Sequence, residues 1–99
     1  MTPDFSIRAK VWRYPGKAAW YFISIPKHKT QEIKKTFGSM ARGWGSLPVA
    51  VTVGSTTWHT SIFPDSKTDT YLLPVKAEIR KKEQLSPEKT VLFAIAILV

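Results

Sequence analysis

The chain has 99 residues, a net charge of +8 and a hydrophobic fraction of 43%. That is the length of one domain, 1–99, with the hydrophobicity of an ordinary globular fold, so disorder is not expected. With no cysteine, disulfides, thiolate chemistry and cysteine-ligated zinc are excluded. The start, "MTPDFSIRAKVW", has no apolar stretch of the signal-peptide kind. The last run, "TVLFAIAILV", is about half of the ~20 residues a membrane helix needs, so it reads as a buried strand. A cytoplasmic location without membrane attachment is the simplest expectation. The charge leaves polyanions as partner classes, among them nucleic acid, acidic lipid and acidic protein. It is equally compatible with a surface kept basic for solubility.

In chain order, "DFSIRAKVW" (4–12) alternates, with Phe5, Ile7, Ala9 and Val11 on one face and Ser6, Arg8, Lys10 and Trp12 on the other, as a half-buried strand does. "YPGK" (14–17) is turn chemistry, and "AWYFISI" (19–25) is a second strand, apolar on both faces, that completes a hairpin. Pro26 ends it. "TQEIKKTFG" (30–38) predicts a short helix capped by Thr30, stopped by Gly38 and buried along Ile33 and Phe37. A glycine-rich loop, 38–48, leads to "VAVTV" (49–53). Gly54-Ser55 between alternating runs predicts a two-residue type II′ hairpin into "TTWHTSIF" (56–63). That turn sets the register: Val53 faces Thr56, Val51 faces Trp58 and Val49 faces Thr60. Val49, Val51, Val53, Trp58 and Ile62 then form the core face, and His59 and Ser61 the outer one. "TYLLP" (70–74) is a fifth strand. "VKAEIRKKEQL" (75–85) is a second helix striped by Val75, Ile79 and Lys82, with Glu78 and Lys82 paired at i,i+4. "TVLFAIAILV" (90–99) is the last strand; apolar on both faces, it calls for a cover on each.

"FISIPKHKTQEIKK" and "TYLLPVKAEIRKK" share a layout of strand, proline, lysine and a helix carrying Glu-Ile-basic-Lys, with two extra residues before the first helix. Two such halves would close a barrel about a pseudo-twofold axis.

Four constellations bear on chemistry. "WHTSIFPD" (58–65) holds His59, Ser61 and Asp65, the residue types of a hydrolase triad. Residues two apart on a strand share a face but sit ~6.5–7 Å apart along it, beyond the hydrogen-bond reach a nucleophile and base require. No GxSxG elbow surrounds Ser61, so hydrolysis by His59 and Ser61 is the weakest reading. His28 and His59 are the only histidines and lie in different elements; Glu32, four after His28, completes no metal set, and neither a metal nor a cofactor is expected. "GSMARGWGS" (38–46) lacks the lysine of a phosphate loop, Trp44 standing at its position, and it follows a helix rather than a strand. The expectation is a connection with Trp44 folded onto the core. An exposed Trp44 beside Arg42 would instead suit base stacking or an anion, and the loop is the best candidate binding element. Last, basic residues gather on the helices, Lys27, Lys29, Lys34 and Lys35 on the first and Lys76, Arg80, Lys81 and Lys82 on the second. They form either one positive surface for nucleic acid or two solvated helix faces.

Taken together, "RGWGSLPVAVTVG", "TW.TSIFP" (57–64, with His59 left out) and "YLLPVKAEIRKKEQLSPEKTV", with Trp20, Phe22, Ile23, Ile25 and Pro26, resemble the bacterial domain-of-unknown-function family nineteen-oh-five across roughly 4–97. The resemblance implies a small double-split β-barrel, the class of dimeric AbrB-like and MazE-like transcription factors, with one chain here supplying both halves. It implies matching positions at Arg42, Gly43, Trp44, Gly45, Trp58, Ser61, Pro74, Lys76 and Arg80, but not at His59. Family members are also found joined to a YdeI/OmpD-associated domain. The family's Gly-Asp pair before the last strand is Glu88-Lys89 here. No activity follows from the family.

The expectation is thus a mainly β barrel of about six strands with two short helices and no catalysis. It would act as a binding or accessory module for a protein or small anionic ligand, using Arg42, Trp44, Ser61, Lys76 and Arg80. The alternative is a nucleic-acid binder using Lys27, Lys29, Lys34, Lys35, Arg80, Lys81 and Lys82.

Overall fold

A computed structural model describes residues 4–16 and 20–99. Its strands are β1 (Phe5–Arg13), β2 (Tyr21–Ser24), β3 (Leu47–Val53), β4 (Thr56–Asp65), β5 (Thr70–Pro74) and β6 (Thr90–Ile97). All neighbours run antiparallel, and the sheet closes into a six-strand barrel in the order β1-β2-β5-β4-β3-β6. Helix α1 (Lys27–Phe37) joins β2 to β3, and α2 (Ala77–Lys82) joins β5 to β6. Lys17 of the expected turn and Ala19 of the expected second strand lie outside the described residues.

Strand alternation builds the core. Ile7 and Val11 of β1, Val49, Val51 and Val53 of β3, Ile62 of β4, and Val91, Phe93, Ile95 and Ile97 of β6 are all buried inside the barrel. Fully burying each such side chain contributes about 1.5–3 kcal/mol relative to exposure. The Gly54-Ser55 turn has a positive φ of 56° at Gly54 and none at Ser55, the pattern a type II′ turn requires. Its register is the expected one: Val53 opposite Thr56, Val51 opposite Trp58 and Val49 opposite Thr60. Trp58 packs half-buried against the core, and its indole nitrogen is buried without a hydrogen-bond partner. The outer face of the last strand is covered only toward its end: Leu92 is 59% exposed, Ala94 is half-buried and Ala96 is buried.

The helices depart further. Helix α1 starts three residues earlier than its sequence suggests, and Thr30 does not cap it. Pro26 holds the cap position with extended backbone (φ −51°, ψ 148°). Thr30 lies one turn inside, fully buried; its hydroxyl donates to the Ile25 carbonyl (3.0 Å) and accepts from the Tyr71 amide (3.2 Å). A threonine chosen by local propensity as a cap instead ties the end of β2 to the start of β5. Gly38 follows the helix in right-handed conformation, and the chain continues through a 3-10 turn at Gly38–Met40. Helix α2 spans only Ala77–Lys82 rather than 75–85; Val75 and Leu85 are buried on either side of it. Among the described residues no Glu78–Lys82 ion pair forms.

The strand registers reveal an internal repeat, β1-β2-α1-β3 followed by β4-β5-α2-β6. Trp12 opposite Phe22 and Arg13 opposite Tyr21 correspond to Phe63 opposite Leu72 and Pro64 opposite Tyr71. Two hydrogen bonds flank the β2–β5 ladder symmetrically: the Ile25 amide donates to Tyr71 O (2.8 Å) and the Val75 amide to Tyr21 O (2.9 Å). Tyr21, Ile25 and Pro26 therefore match Tyr71, Val75 and Lys76, and Lys76 caps α2 (φ −65°, ψ 152°) as Pro26 caps α1. This corrects the alignment read from sequence. The two prolines are not equivalent; α1 begins directly after Pro26, whereas α2 begins three residues beyond Pro74, at Ala77.

In the turn before β6, Glu88 adopts a left-handed φ of 70° while its amide donates to Val11 O (2.8 Å). L-residues other than glycine are strained there by about 1–2 kcal/mol. The ion pair that Glu88 makes with Lys10 (3.8 Å) is exposed and contributes little. Glu88→Gly is therefore expected to stabilise the domain by roughly 0.5–1 kcal/mol after the added unfolded-state entropy, read as a higher urea midpoint.

Candidate functional site

The pseudo-twofold axis crosses the middle of the antiparallel β2–β5 ladder, at Ile23 and Leu73, and each helix leaves from one end of the ladder. Helix α1 follows Ile25, whose partner is Tyr71; α2 follows Val75, whose partner is Tyr21. Tyr71 and Val75 are four residues apart, roughly 13 Å along a strand. The two basic helices therefore flank opposite ends of the ladder.

The ends differ in what fills them. At the α1 end, Thr30 closes the gap with its two buried hydrogen bonds, and Tyr71 is 2% exposed. Burial raises the Tyr71 hydroxyl above the ordinary value of 10.0. Between the unfolded and folded values the unfolded chain binds fewer protons, so stability is intact below that pH and falls as pH climbs above it. Titrated by tyrosinate absorbance, one tyrosine is expected to ionise late, together with loss of structure.

At the α2 end, the position equivalent to Thr30 is Arg80. Its Nε donates to Val75 O (3.3 Å), as the Thr30 hydroxyl donates to Ile25 O. Its guanidinium lies over the Tyr21 ring, Cζ 3.6 Å from the centroid. The shorter α2 leaves a cleft of about 340 Å³ lined by Trp20, Tyr21, Pro74, Val75, Lys76, Ala77 and Arg80. A second, larger and more open depression, about 600 Å³, shares Ala77 and Arg80 and reaches Leu85 and Pro87.

Charge sharpens the contrast. On α1, Lys29 pairs with Glu32 (3.7 Å) and Lys34 with Asp69 (3.5 Å), while Lys27 and Lys35 are exposed. On the other side, Lys76, Arg80, Lys81 and Lys82 have no carboxylate within ion-pair distance among the described residues. Arg80 carries five N–H donors and uses one of them here, so the other four are available to a ligand.

The cleft opens onto an aromatic surface that sequence reading missed. Phe22 is its centre, with Trp12 at 5.4 Å, Trp20 at 6.1 Å (stacked, 24°) and Tyr14 at 6.2 Å. Trp12 is fixed by a hydrogen bond from its Nε1 to Ser24 Oγ (2.9 Å). Trp20 and Tyr14, at its margins, are 57% and 52% exposed. The signal was present in the alternation: Trp12 and Tyr14 share the polar parity of β1, and Phe22 faces Trp12 across the hairpin.

The remaining expected residues lie elsewhere. Trp44 is not folded onto the core; it is 94% exposed, with a left-handed φ of 63°. Its loop is a hydrogen-bonded turn, closed by Arg42 N to Ser46 O (2.8 Å), Gly45 N to Arg42 O (2.9 Å) and Ser46 Oγ to Gly43 O (2.9 Å). Gly45 is required: it has φ +76°, and a Cβ there would come 2.9 Å from Pro64 Cγ. Pro64 pairs with Tyr71, so the Arg42–Trp44 loop sits toward the α1 end, away from Lys76 and Arg80. Ser61 faces outward on β4 opposite Pro48, apart from both. His59 is exposed opposite Ala50. Asp65 lies six residues along from it, roughly 20 Å in a strand, and accepts hydrogen bonds from Thr68 Oγ1 (2.8 Å) and the Lys67 amide (3.3 Å) in its own turn. The three triad residue types are thus not brought together. Among the described residues no three His, Asp or Glu side chains form a metal set, and no helix is long and apolar enough to cross a membrane.

No curated protein matches the chain. Residues 8–95 match the family described as Domain of unknown function (DUF1905), a span that takes in all or part of every strand and both helices. The closed six-strand barrel with two helices is the architecture that resemblance implied. The chain belongs to the family Domain of unknown function (DUF1905).

Proposed function

We propose that this domain is a non-catalytic binding module whose site is the cleft at the α2 end, and that it takes a ligand joining an anionic group to a flat apolar one. The observation that carries this reading is the difference between equivalent positions of the repeat. Thr30 seals one end, and Arg80 holds the other open with its guanidinium over Tyr21 and facing no acid among the described residues. Arg80 and Lys76 supply charge-assisted donors, and Trp20 supplies an exposed apolar face beside them. Adenosine monophosphate is a suitable probe, with adenosine as its uncharged control. Calorimetric titration is expected to show the phosphorylated probe binding at least about tenfold more tightly, the value of one charge-assisted contact. Equal affinities would refute the reading.

A second reading rests on Trp44, whose nearly complete exposure on strained backbone is a pattern found at binding sites. It places the flat group on Trp44 and the anion on Arg42. Trp44→Ala separates the two: it leaves the probe's affinity unchanged if the cleft binds, and abolishes it if the loop does.

A further inference from the structure

We infer that the ligand of this face is single-stranded nucleic acid, with phosphates held at the cleft and bases stacked along the aromatic surface of β1 and β2. The inference rests on the cleft reading above and names its substrate class. Arg80 lies over the Tyr21 ring and lines the cleft together with Lys76 and Trp20, so two cations, Lys76 and Arg80, border the Trp20 edge of the aromatic cluster. Neither has a carboxylate within ion-pair distance among the described residues. Trp20 lines the cleft and stacks on Phe22, and Tyr14 lies on another side of Phe22 at 6.2 Å. The two exposed rings thus each contact Phe22, and Trp20 stands beside the phosphate donors of the cleft. Every base offers a π-face to such a platform, and a basic edge tracks the backbone; this combination binds single strands without reading sequence. A duplex keeps its base faces stacked inside and gains nothing from the rings. The chain's net charge of +8 favours the same class of partner.

The test uses fluorescence anisotropy with labelled oligothymidylate, a duplex of equal length and a glutamate-rich peptide, against the whole chain at about 50 mM salt. The expected result is preference for the single strand, with a slope of log affinity against log salt near −1.4, as about two phosphate contacts give. Trp20→Ala should weaken oligothymidylate binding about tenfold or more, and Trp20→Phe should restore most of it. Trp20 is more than half exposed, so neither change threatens folding. Several results would overturn the inference: no oligothymidylate binding, equal binding of the duplex, or indifference to Trp20→Ala. Tighter binding of the acidic peptide, unaffected by Trp20→Ala, would also overturn it and assign the face to an acidic protein. If adenosine monophosphate still binds in the cleft while oligothymidylate does not, this inference fails and the cleft reading stands. If neither binds, both fail.

Discussion

Thr30→Val is expected to cost the fold about 2–3 kcal/mol, one of the largest effects of a nearly isosteric change anywhere in this chain. The substitution keeps volume and removes a hydroxyl that is fully buried. The Tyr71 amide, which donates to that hydroxyl, and the Ile25 carbonyl, which accepts from it, lose that partner together. A buried group left without a partner loses its desolvation energy, about 1–3 kcal/mol each, which exceeds the net worth of the hydrogen bond itself. Thr30→Ser keeps the hydroxyl and sheds one methyl, so it should cost only about 1 kcal/mol. Urea denaturation of the pair reads the difference as separate midpoints with the same slope. Equal losses in the two variants would mean that Thr30 acts by packing and not as the seal of the α1 end.

Arg80→Ala should do the reverse. Its bond to Val75 O is long and its contact with Tyr21 is partly exposed, so removing it should cost stability only about 1 kcal/mol. Binding should suffer far more. Hydrogen bonds to charged groups contribute about 1.5–3 kcal/mol, so affinity for adenosine monophosphate should fall between about tenfold and a hundredfold. Arg80→Lys keeps the charge but loses both the planar fork and the contact with Tyr21. It should recover only part of the affinity, and calorimetric titration of the three proteins sets the order wild type, Lys, Ala. A lysine variant equal to the wild type would reduce Arg80 to a point charge and remove the reason for its placement on the ring.

The contrast between Thr30 and Arg80 could not be read from the chain alone. Periodicity showed the strands well, because alternation such as Val49, Val51 and Val53 is a direct imprint of one buried face. The Gly54-Ser55 pair fixed the β3–β4 register for a similar local reason: few residues other than glycine accept that φ. The helices were harder. Thr30 has the chemistry of a cap, and nothing local reveals that its hydroxyl is spent on a strand 41 residues away. The repeat was visible as two prolines and two Glu-Ile-basic-Lys helices, but those features are offset between the halves. Only the pairing of Tyr21 with Val75 and of Ile25 with Tyr71 shows which residues correspond. Of the site, Lys76 and Arg80 were accessible through the family resemblance. Trp20 also carried that resemblance but was not singled out as a site residue, since strand parity places a ring outside the barrel without saying whether a neighbour covers it. Trp44 misled because the glycines on either side of it suggest a slack loop, whereas it is the tryptophan itself, together with Gly45, that takes the left-handed conformation.

The central claim is that the two halves of the repeat have parted company, one end sealed and the other open to an anionic ligand. Amide NMR spectra followed through a titration with adenosine monophosphate test it most directly, because both ends are observed in one experiment. The account predicts shifts at Trp20, Tyr21 and residues 75–81, with the amides of Thr30 and Tyr71 unmoved. Shifts centred on Tyr71 or on the Arg42–Ser46 loop, or equal shifts at both ends, would contradict it.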